Sequence, residues 1–517
     1  MLYNDQSSQK KKLDLAVVDM IALDLQPFTI VTDEGFKKLV SLLDPRYDLP
    51  STYTLSGKLL NQRYTDIRNK LKEDMSGVEY VALTCDGWTS RATESYLTIT
   101  CHFVSNHQLH AVVLSTKPLT NGINHTSENI AASIQEIIDE WEIDHKITSI
   151  VTDNAASMIK ACELLKKKHF PCYAHMLNLV VQDNMKLIQP ILKKCKDIVT
   201  FIKQSTSAME IFKKEQNSEK PLKLIQECPT RWNSSYYMIE RILKTNEAIG
   251  RTLLKVRKAP QPLSVDDVCV LTELVKVLDI FEEATKKISG SKYVTISLVI
   301  PVTMGLYNNV CKISTNMETE DGKKFIKGLI DSIITRLFPY ENRTVAKIAS
   351  LLDPRFKKEG FRIPANASAA INLLEFDMVS ILKKKEEKKK TIEIQNQNVS
   401  STPEKPGTSC ALFAFLEERI DSKIKSLTAD VIITKRQYLE TINSDQDTDP
   451  LLYWKIAGHG LSPLEECAAK YLCIPATSVE SERCFSTTGQ IITERRSRLK
   501  AENVDKITFL HKNIRNH

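Results

Sequence analysis

The sequence predicts an α/β fold joined to a large all-helical part, and three observations lead to this prediction. Runs rich in β-branched residues alternate with amphipathic runs in the order β-β-β-α-β-α over about residues 78–166. From about residue 172 to 380, apolar residues recur at helical spacing. The residues before the first predicted strand show the same spacing, so a helical N-terminal segment precedes the sheet.

The N-terminal segment, residues 1–75, is predicted to hold three helices. LDLAVVDMIALDL and EGFKKLVSLL place apolar residues at helical spacing, and Pro27 separates them. STYTLSGKLLNQRYTDIRNKLKEDM supplies the third helix, with a Ser or Thr near its start as a candidate cap.

The predicted sheet lies in residues 76–190. VEYVALTC, SYLTITCHFV and HAVVLST are closely spaced strands bounded by turn residues, which predicts an antiparallel meander. In the second strand, one face is predicted to carry Leu97, Ile99, Cys101 and Phe103. The helix SENIAASIQEIIDEW then leads to the strand ITSIVTD and the helix AASMIKACELLKKK, which together make a parallel crossover.

The rest of the chain divides into two helical segments. Residues 191–410 are predicted to be helical up to residues 383–410, which are charged and then rich in Ser, Thr and Pro. That composition predicts a flexible linker. Helical periodicity resumes at ALFAFLEERI and defines the last segment, residues 411–517.

Composition limits the class of protein without deciding it. Net charge is +7, from 71 basic and 64 acidic residues, which permits nucleic-acid binding but does not require it. We find no apolar run near the roughly 20 residues of a membrane span and no signal-peptide core, so we expect an intracellular protein without a membrane partner. The 12 cysteines include no C-x-x-C pair, which predicts free thiols and argues against a standard zinc finger.

Two aspartates follow buried strands of the predicted sheet. Asp86 ends the first strand and Asp153 ends the fourth, and these two strands can lie side by side. Because neighbouring carboxylates repel each other, a hard divalent cation such as Mg²⁺ would suit the pair. The alternative is that both are strand-end caps that accept hydrogen bonds from turn N–H groups. Spacing alone leaves both interpretations open.

A Cys and a His lie one helical turn apart in PCYAHMLNLVV. Cys172 and His175 could face the same point, and His169 and Cys162 lie upstream. Zinc binding is conceivable, but the spacing fits no common template. A packed Cys and a hydrogen-bonded His are the favoured interpretation.

The stretch TRWNSSYYMIERI sets Arg231 beside Trp232. A guanidinium next to an indole suits a phosphate and a stacked base. The alternative, which is favoured without further context, is ordinary aromatic packing between helices.

The stretch SVESERCFSTTGQIITERRSRL combines acids with a basic run. One glutamate could supply a third carboxylate, and the arginines could meet phosphates. The alternative is the solvated face of a surface helix. The residues in question are Glu480, Glu482, Glu494, Arg483, Arg495, Arg496 and Arg498. In the tail helix, Val504, Ile507, Leu510 and Ile514 line one side, which is either core or a subunit contact.

Several of these segments resemble hAT-superfamily transposases, and more specifically the host-domesticated zinc finger BED domain-containing proteins. The resemblance covers about residues 12–515 and is strongest in DPLLYWKIAGHGLSPLEECAAKYLCIPATSVESERCFSTTGQIITERRSRL. CDGWTS, VTDNAASM, CYAHMLNLVV, RWNSSYYM and ASLLDPRFK support it. It implies a ribonuclease H-like core interrupted by a large helical domain, and dimerisation through the C-terminal region.

The resemblance also implies a catalytic site. Asp86, Asp153 and Glu482 correspond to an acid triad that binds Mg²⁺ or Mn²⁺. We expect their three carboxylates to converge while Glu480 points away.

Neighbouring residues receive supporting or DNA-contacting roles from the same resemblance. Trp88 would flank the site, and His175 would lie beside the acids with Cys172 as its packing companion. Arg231 and Trp232 would lie near a stacked or flipped base, and the N-terminal helices would also contact DNA. Arg483 is expected to play a supporting role.

Three hypotheses of function follow. The first is Mg²⁺-dependent DNA cleavage and strand transfer by a dimer or higher oligomer in the nucleus. The second is a catalytically silent nuclear DNA-binding regulator or scaffold, and the third is a structural protein whose acids are strand caps. A BED finger normally precedes this pattern, but the chain contains none, so we expect sequence-specific reading of a DNA end to be impaired.

Overall fold

A computed structural model describes residues 2–4, 6–89, 95–119, 125–397, 427–491 and 499–516. At its centre is a five-stranded mixed sheet with the strand order β3-β2-β1-β4-β5. The strands are β1 (Val81–Thr89), β2 (Ser95–Ser105), β3 (Gln108–Pro118), β4 (Ile147–Thr152) and β5 (His169–Pro171).

The pairing of the strands follows the sequence prediction, with one addition. β1 pairs antiparallel with β2, and β2 with β3, which forms the predicted meander. β4 pairs in parallel with β1, so the predicted adjacency of the first and fourth strands is confirmed. β5 adds a parallel edge beyond β4. The sequence did not predict β5, because three residues are too few to show strand alternation.

Helices surround the sheet. The N-terminal segment and the crossovers contain α1 (Ser8–Leu23), α2 (Glu34–Leu43), α3 (Leu60–Ser76), α4 (Ser127–Trp141) and α5 (Ala156–Leu164). The helical part contains α6 (Tyr173–Met185), α7 (Gln189–Gln204), α8 (Thr206–Glu215), α9 (Trp232–Lys244), α10 (Asn246–Lys255), α11 (Val265–Ile288), α12 (Val299–Ser314), α13 (Glu320–Ser332), α14 (Thr344–Leu352) and α15 (Pro364–Gln397). The C-terminal segment contains α16 (Leu427–Glu440), α17 (Pro450–Ala457), α18 (Leu464–Leu472), α19 (Val479–Ile491) and α20 (Ala501–Asn513).

The predicted flexible linker is wrong in its first part. α15 continues without a break through residue 383 to Gln397. Lys and Glu are good helix formers, and two lysines of this stretch are paired. Lys388 Nζ lies 2.8 Å from Glu79 Oε1, and Lys385 pairs with Glu466. The remainder of the predicted linker, residues 398–410, lies outside the described residues.

Both faces of the sheet are covered, and the alternation of β1 determines which side chains go where. Leu83 and Cys85 pack with the N-terminal helices, α4, α5 and α20. Ala82 packs on the other face with the helical part. The predicted apolar face of β2 belongs to the first of these cores, through Leu97, Ile99, Cys101 and Phe103.

The tail helix α20 closes the open edge of β3. The side-chain amide of Asn513 donates to the carbonyl of Val113 at 2.9 Å and accepts from its N–H at 3.1 Å. Asp505 Oδ1 accepts from the N–H of Thr116 at 2.5 Å. The apolar side of the helix is buried, with Leu510 fully covered. Of the two alternatives that the sequence left open, α20 is therefore core.

One stretch of the helical part, Ile296–Ser314, is long and apolar enough to cross a membrane by length and composition. The sequence analysis did not identify it as such a run. Val299, Leu306 and Val310 are buried in the core of the helical part, so packing accounts for the apolar composition.

Candidate active site

Asp86 and Asp153 meet at one edge of the sheet because β1 and β4 are parallel neighbours. Thr84 of β1 lies opposite Val151 of β4. Asp86 and Asp153 each follow two residues later, so both carboxylates emerge at the same end of the pair.

The structure corrects the predicted end of β1. β1 does not stop at Asp86 but continues to Thr89, because Asp86, Gly87 and Trp88 keep their pairing with β2. β4 ends at Thr152, directly before Asp153, as the sequence predicts.

A chain of buried hydroxyl groups fixes α19 on the sheet. Ser481 Oγ lies 2.6 Å from Thr84 Oγ1 and donates to the Thr84 carbonyl at 3.3 Å. Thr84 Oγ1 is hydrogen-bonded to Thr100 Oγ1, which lies 2.8 Å from His102 Nε2. All four side chains are buried. Because Ser481 directly precedes Glu482, this chain of contacts brings that carboxylate to the sheet edge.

The loop before α19 is also hydrogen-bonded to the start of α6. Tyr173 N–H donates to the Ala476 carbonyl at 2.9 Å, and Ser478 N–H donates to Cys172 Sγ at 3.3 Å. The I-P-A-T-S step and the C-x-x-H element therefore contact each other directly. Cys172 supports the start of the helix that carries Glu482.

The electrostatics of Asp86 reflect its burial and the charges of two other carboxylates. Burial raises the pKa of Asp86 to about 8, and the negative charges of Glu482 and Asp153 contribute to the rise. The N–H of Gly87 opposes it by donating to the carboxylate. Residues that lie far apart in the chain thus influence Asp86 through their charges, beside the carboxyl end of β4.

Asp153 also serves the turn that follows β4. Its Oδ1 accepts a hydrogen bond from the N–H of Ala155 at 3.2 Å, just before α5. One oxygen of Asp153 therefore acts as a strand-end cap. This is compatible with metal binding by the same carboxylate at the end of β4. Asp86 is different, because burial and like charges dominate its environment and raise its pKa.

Glu480 turns away from the acids. It pairs with Arg483, whose Nη2 donates to the Ser289 carbonyl at 2.9 Å. Glu480 also lines a separate cavity of about 480 Å³, together with Lys292 and Lys512. Of the two glutamates at the start of α19, Glu482 is the one that acts on Asp86.

Trp88 stands next to the acids in an aromatic group. Its ring stacks on Tyr96, with centroids 5.0 Å apart, and lies 5.8 Å from the ring of Phe485. The indole N–H is buried and finds no hydrogen-bond acceptor among the residues that the structure describes. Trp88 thus flanks the site, and its aromatic contacts connect β1, β2 and α19.

The zinc alternative is not realised. Cys172 is 1% exposed and bonds Ser478, while His175 lies half-buried on the first turn of α6. His169 Nε2 lies 2.9 Å from Thr152 Oγ1, and Cys162 is buried in the core. Over the described ranges, no three His, Cys, Asp or Glu side chains are placed to hold a metal ion. Asp86, Asp153 and Glu482 therefore interact through their charges without forming a ready-made set of metal ligands.

The predicted base-stacking role of Trp232 is wrong in this structure. Its side chain is 2% exposed and packs near Phe281 and Tyr236 in the helical part. The backbone N–H of Trp232 donates to Asn178 Oδ1 at 3.1 Å. A buried indole has no face free for a base. Arg231, at the N-terminal end of α9, is exposed.

The second half of the stretch SVESERCFSTTGQIITERRSRL lies outside the described residues. It contains Glu494, Arg495, Arg496 and Arg498. Sequence reasoning also missed four residues that matter for the site, namely Ser481, Thr84, Thr100 and His102. The available signal was the polar face of β2, whose alternating residues turn toward α19 rather than toward solvent.

Three parts of the chain match known family models. Residues 84–177 match the ZBED1 RNase-like domain, and residues 170–277 match the ZBED1 RNase-like helical domain. Residues 434–514 match the hAT family C-terminal dimerisation region. The resemblance found in the motifs is confirmed, because these parts of the chain match models of ZBED1 and hAT-family domains.

More particularly, the chain is similar to zinc finger BED domain-containing proteins and to transposases along most of its length. It is 26% identical to human "Zinc finger BED domain-containing protein 4", over 99% of this chain and 44% of that protein. It is 24% identical to the maize "Putative AC transposase", over 97% and 65%. It is 22% identical to "Putative transcriptional regulator tpeD" of Talaromyces stipitatus, over 95% and 60%. The chain thus spans about half the length of these curated relatives.

Proposed function

We propose that this chain is a transposase-derived DNA-binding protein that works as a dimer and catalyses Mg²⁺- or Mn²⁺-dependent DNA cleavage and strand transfer. The observation that carries the proposal concerns Asp86, whose pKa is raised to about 8 chiefly by burial and further by the negative charges of Glu482 and Asp153. In this proposal the helical part interrupts a ribonuclease H-like core. Residues 434–514 supply the subunit contact.

A divalent cation fits the chemistry of this sheet edge. All three donors are carboxylates, and oxygen is the ligand that Mg²⁺ prefers. The groups acting on Asp86 include two acids and no cation, so a bound cation would relieve their repulsion. Asp86 and Asp153 would hold the ion, and Glu482 would complete the site.

The chemistry divides between the ion and the chain. A bound ion would neutralise charge on the DNA phosphate and make an attacking water more acidic. Ser481 keeps Glu482 at the sheet edge through its bond to Thr84. Trp88, two residues after Asp86 on β1, stacks on Tyr96. Below about pH 8 Asp86 holds a proton, which must leave before the carboxylate can bind a cation.

DNA would bind over the acids Asp86, Asp153 and Glu482. The exposed guanidinium of Arg231 is suited to a phosphate contact. Trp88 and His175 would contact a nucleotide bound near the acids. The helical segment of residues 1–75 would add further contacts to the DNA backbone. A DNA substrate places the working protein in the nucleus.

The test is nicking of a DNA duplex bearing hAT-like ends, with Mg²⁺ or Mn²⁺ and with EDTA. The wild-type chain is expected to nick only with metal, and Asp153→Asn is expected to abolish nicking. Asp139→Asn, an exposed aspartate on α4, serves as the matched control and should remain active. Equal nicking by Asp153→Asn and wild type would overturn the catalytic proposal.

A catalytically silent DNA-binding regulator is the second candidate. One relative is named as a putative transcriptional regulator, and the described residues contain no ready-made group of three metal ligands. This candidate predicts DNA binding without metal-dependent nicking in wild type and Asp153→Asn alike. The same assay therefore separates the two functions.

A further inference from the structure

The matched dimerisation region is largely occupied by contacts within its own chain. Leu464 and Leu472 of α18 are fully buried, as are Phe509 and Leu510 of α20. Polar side chains of α20 are hydrogen-bonded to the backbone of β3. These helices have no apolar face left for a partner.

Three large apolar side chains of this region remain exposed among the residues the structure describes. Ile442 is 95% exposed, Leu452 is 52% exposed and Ile456 is 75% exposed. Leu452 and Ile456 lie four residues apart on α17 and therefore share one side of that helix. The opposite side is fixed, because Trp454 Nε1 donates to the Leu352 carbonyl at 2.9 Å.

A mostly apolar groove adjoins the loop that leads into α17. Its volume is about 440 Å³, and Gln446 and Asp447 of that loop form part of its wall. The loop is anchored, since Asn443 Nδ2 donates to the Phe356 carbonyl at 3.2 Å. Apolar residues of the opposite wall include Ile280, Ala284, Val302, Leu306 and Phe356.

We propose that Ile442, Leu452 and Ile456, together with this groove, form the docking face for a second copy of the chain. The proposal rests on the dimerisation proposed above and identifies the surface that performs it. Its support is that these residues are the exposed apolar part of the matched dimerisation region. An exposed apolar patch beside a groove is typical of a protein interface.

A two-fold contact suits this face. Such a contact uses the same patch on both subunits, so apolar projections of one copy can face the groove of the other. A stable interface buries about 800 Å² on each partner, more than three side chains supply. The three residues are therefore the apolar centre, and exposed polar neighbours such as Lys455 and His459 belong to the rim.

The first test measures the dimer dissociation constant of the full chain by sedimentation. The triple variant Ile442→Gln, Leu452→Gln, Ile456→Gln is expected to weaken the dimer by at least about tenfold, because truncating central apolar contacts costs most of the binding. The melting temperature should stay near that of wild type, because the side chains are exposed. Leu254→Gln on α10, 85% exposed and outside the matched region, is the control and should dimerise normally.

The second test fills the groove. Gly305 lines it, and a Cβ added there would meet no atom within 4 Å. Gly305→Phe should therefore fold and weaken the dimer. Gly250 on α10 is equally open, so Gly250→Phe is the matched control.

The outcomes separate this proposal from the one it rests on. Weaker dimers for the triple variant and Gly305→Phe, with both controls unchanged, support the docking face. A wild-type dimer that neither change weakens overturns the docking face and leaves dimerisation standing. A wild-type chain that is monomeric at all concentrations overturns both.

Discussion

The hydroxyl groups of Ser481 and Thr84 lie 2.6 Å apart, although 397 residues separate them in the chain. The bond is buried and continues through Thr100 to His102. It joins the first strand of the sheet to the helix that carries Glu482. The position of the third acid therefore depends on a hydroxyl contact and not on the strand pairing that positions Asp86 and Asp153.

Removing the Ser481–Thr84 contact should lower the free energy of unfolding, and the effects of substituting the two residues should not be additive. Ser481→Ala leaves a buried hydroxyl of Thr84 with one partner fewer, which costs about 1–3 kcal/mol. In a double-mutant cycle with Thr84→Val, measured by urea denaturation, we expect a coupling of about 0.5–3 kcal/mol. Strictly additive effects of the two substitutions would show that the contact does not hold α19 on the sheet.

The pH dependence of stability should reveal the burial of Asp86 and the like charges that act on it. Its pKa is about 8 in the folded chain against an ordinary aspartate value of 3.8, so the folded state keeps a proton that the unfolded state releases. The stabilising contribution is complete below about pH 4 and is lost as pH rises toward 8. The slope reaches at most about 1.4 kcal/mol per pH unit.

The comparison that isolates this effect is wild type against Asp86→Asn in EDTA. The free energy of unfolding of wild type should fall more steeply between pH 5 and 7 than that of the variant. Parallel curves for the two proteins would mean that Asp86 titrates near its ordinary value and that the acids do not converge.

Arg231 and Trp232 should respond differently to substitution, although they are adjacent. Trp232→Ala empties a core position and should cost about 3–5 kcal/mol of stability. Arg231→Ala should leave stability unchanged, weaken DNA binding and reduce the slope of log affinity against log salt by about 1. A DNA-binding isotherm at several salt concentrations measures the slope. An unchanged slope would remove Arg231 from the DNA contact.

The sequence predicts those parts of the site that depend on local pattern and strand pairing. Asp86 and Asp153 could be paired because apolar runs place them at the ends of strands that lie side by side. The motif resemblance distinguished Glu482 from Glu480, but no local pattern shows that Ser481 reaches Thr84. For Trp232 the local sequence was misleading. The adjacent Arg231 suggested a DNA contact, whereas the burial of Trp232 depends on α11, far away in sequence.

The most direct test of the central claim is Mn²⁺ binding to the full chain, followed by electron paramagnetic resonance. Asp86→Asn, Asp153→Asn and Glu482→Gln are each expected to weaken binding by more than about tenfold, because each removes a proposed ligand. Glu480→Gln, two residues from Glu482 and paired with Arg483, should bind like wild type. If Glu482→Gln binds Mn²⁺ as wild type does, or if Glu480→Gln loses it, the three-acid site proposed here is contradicted.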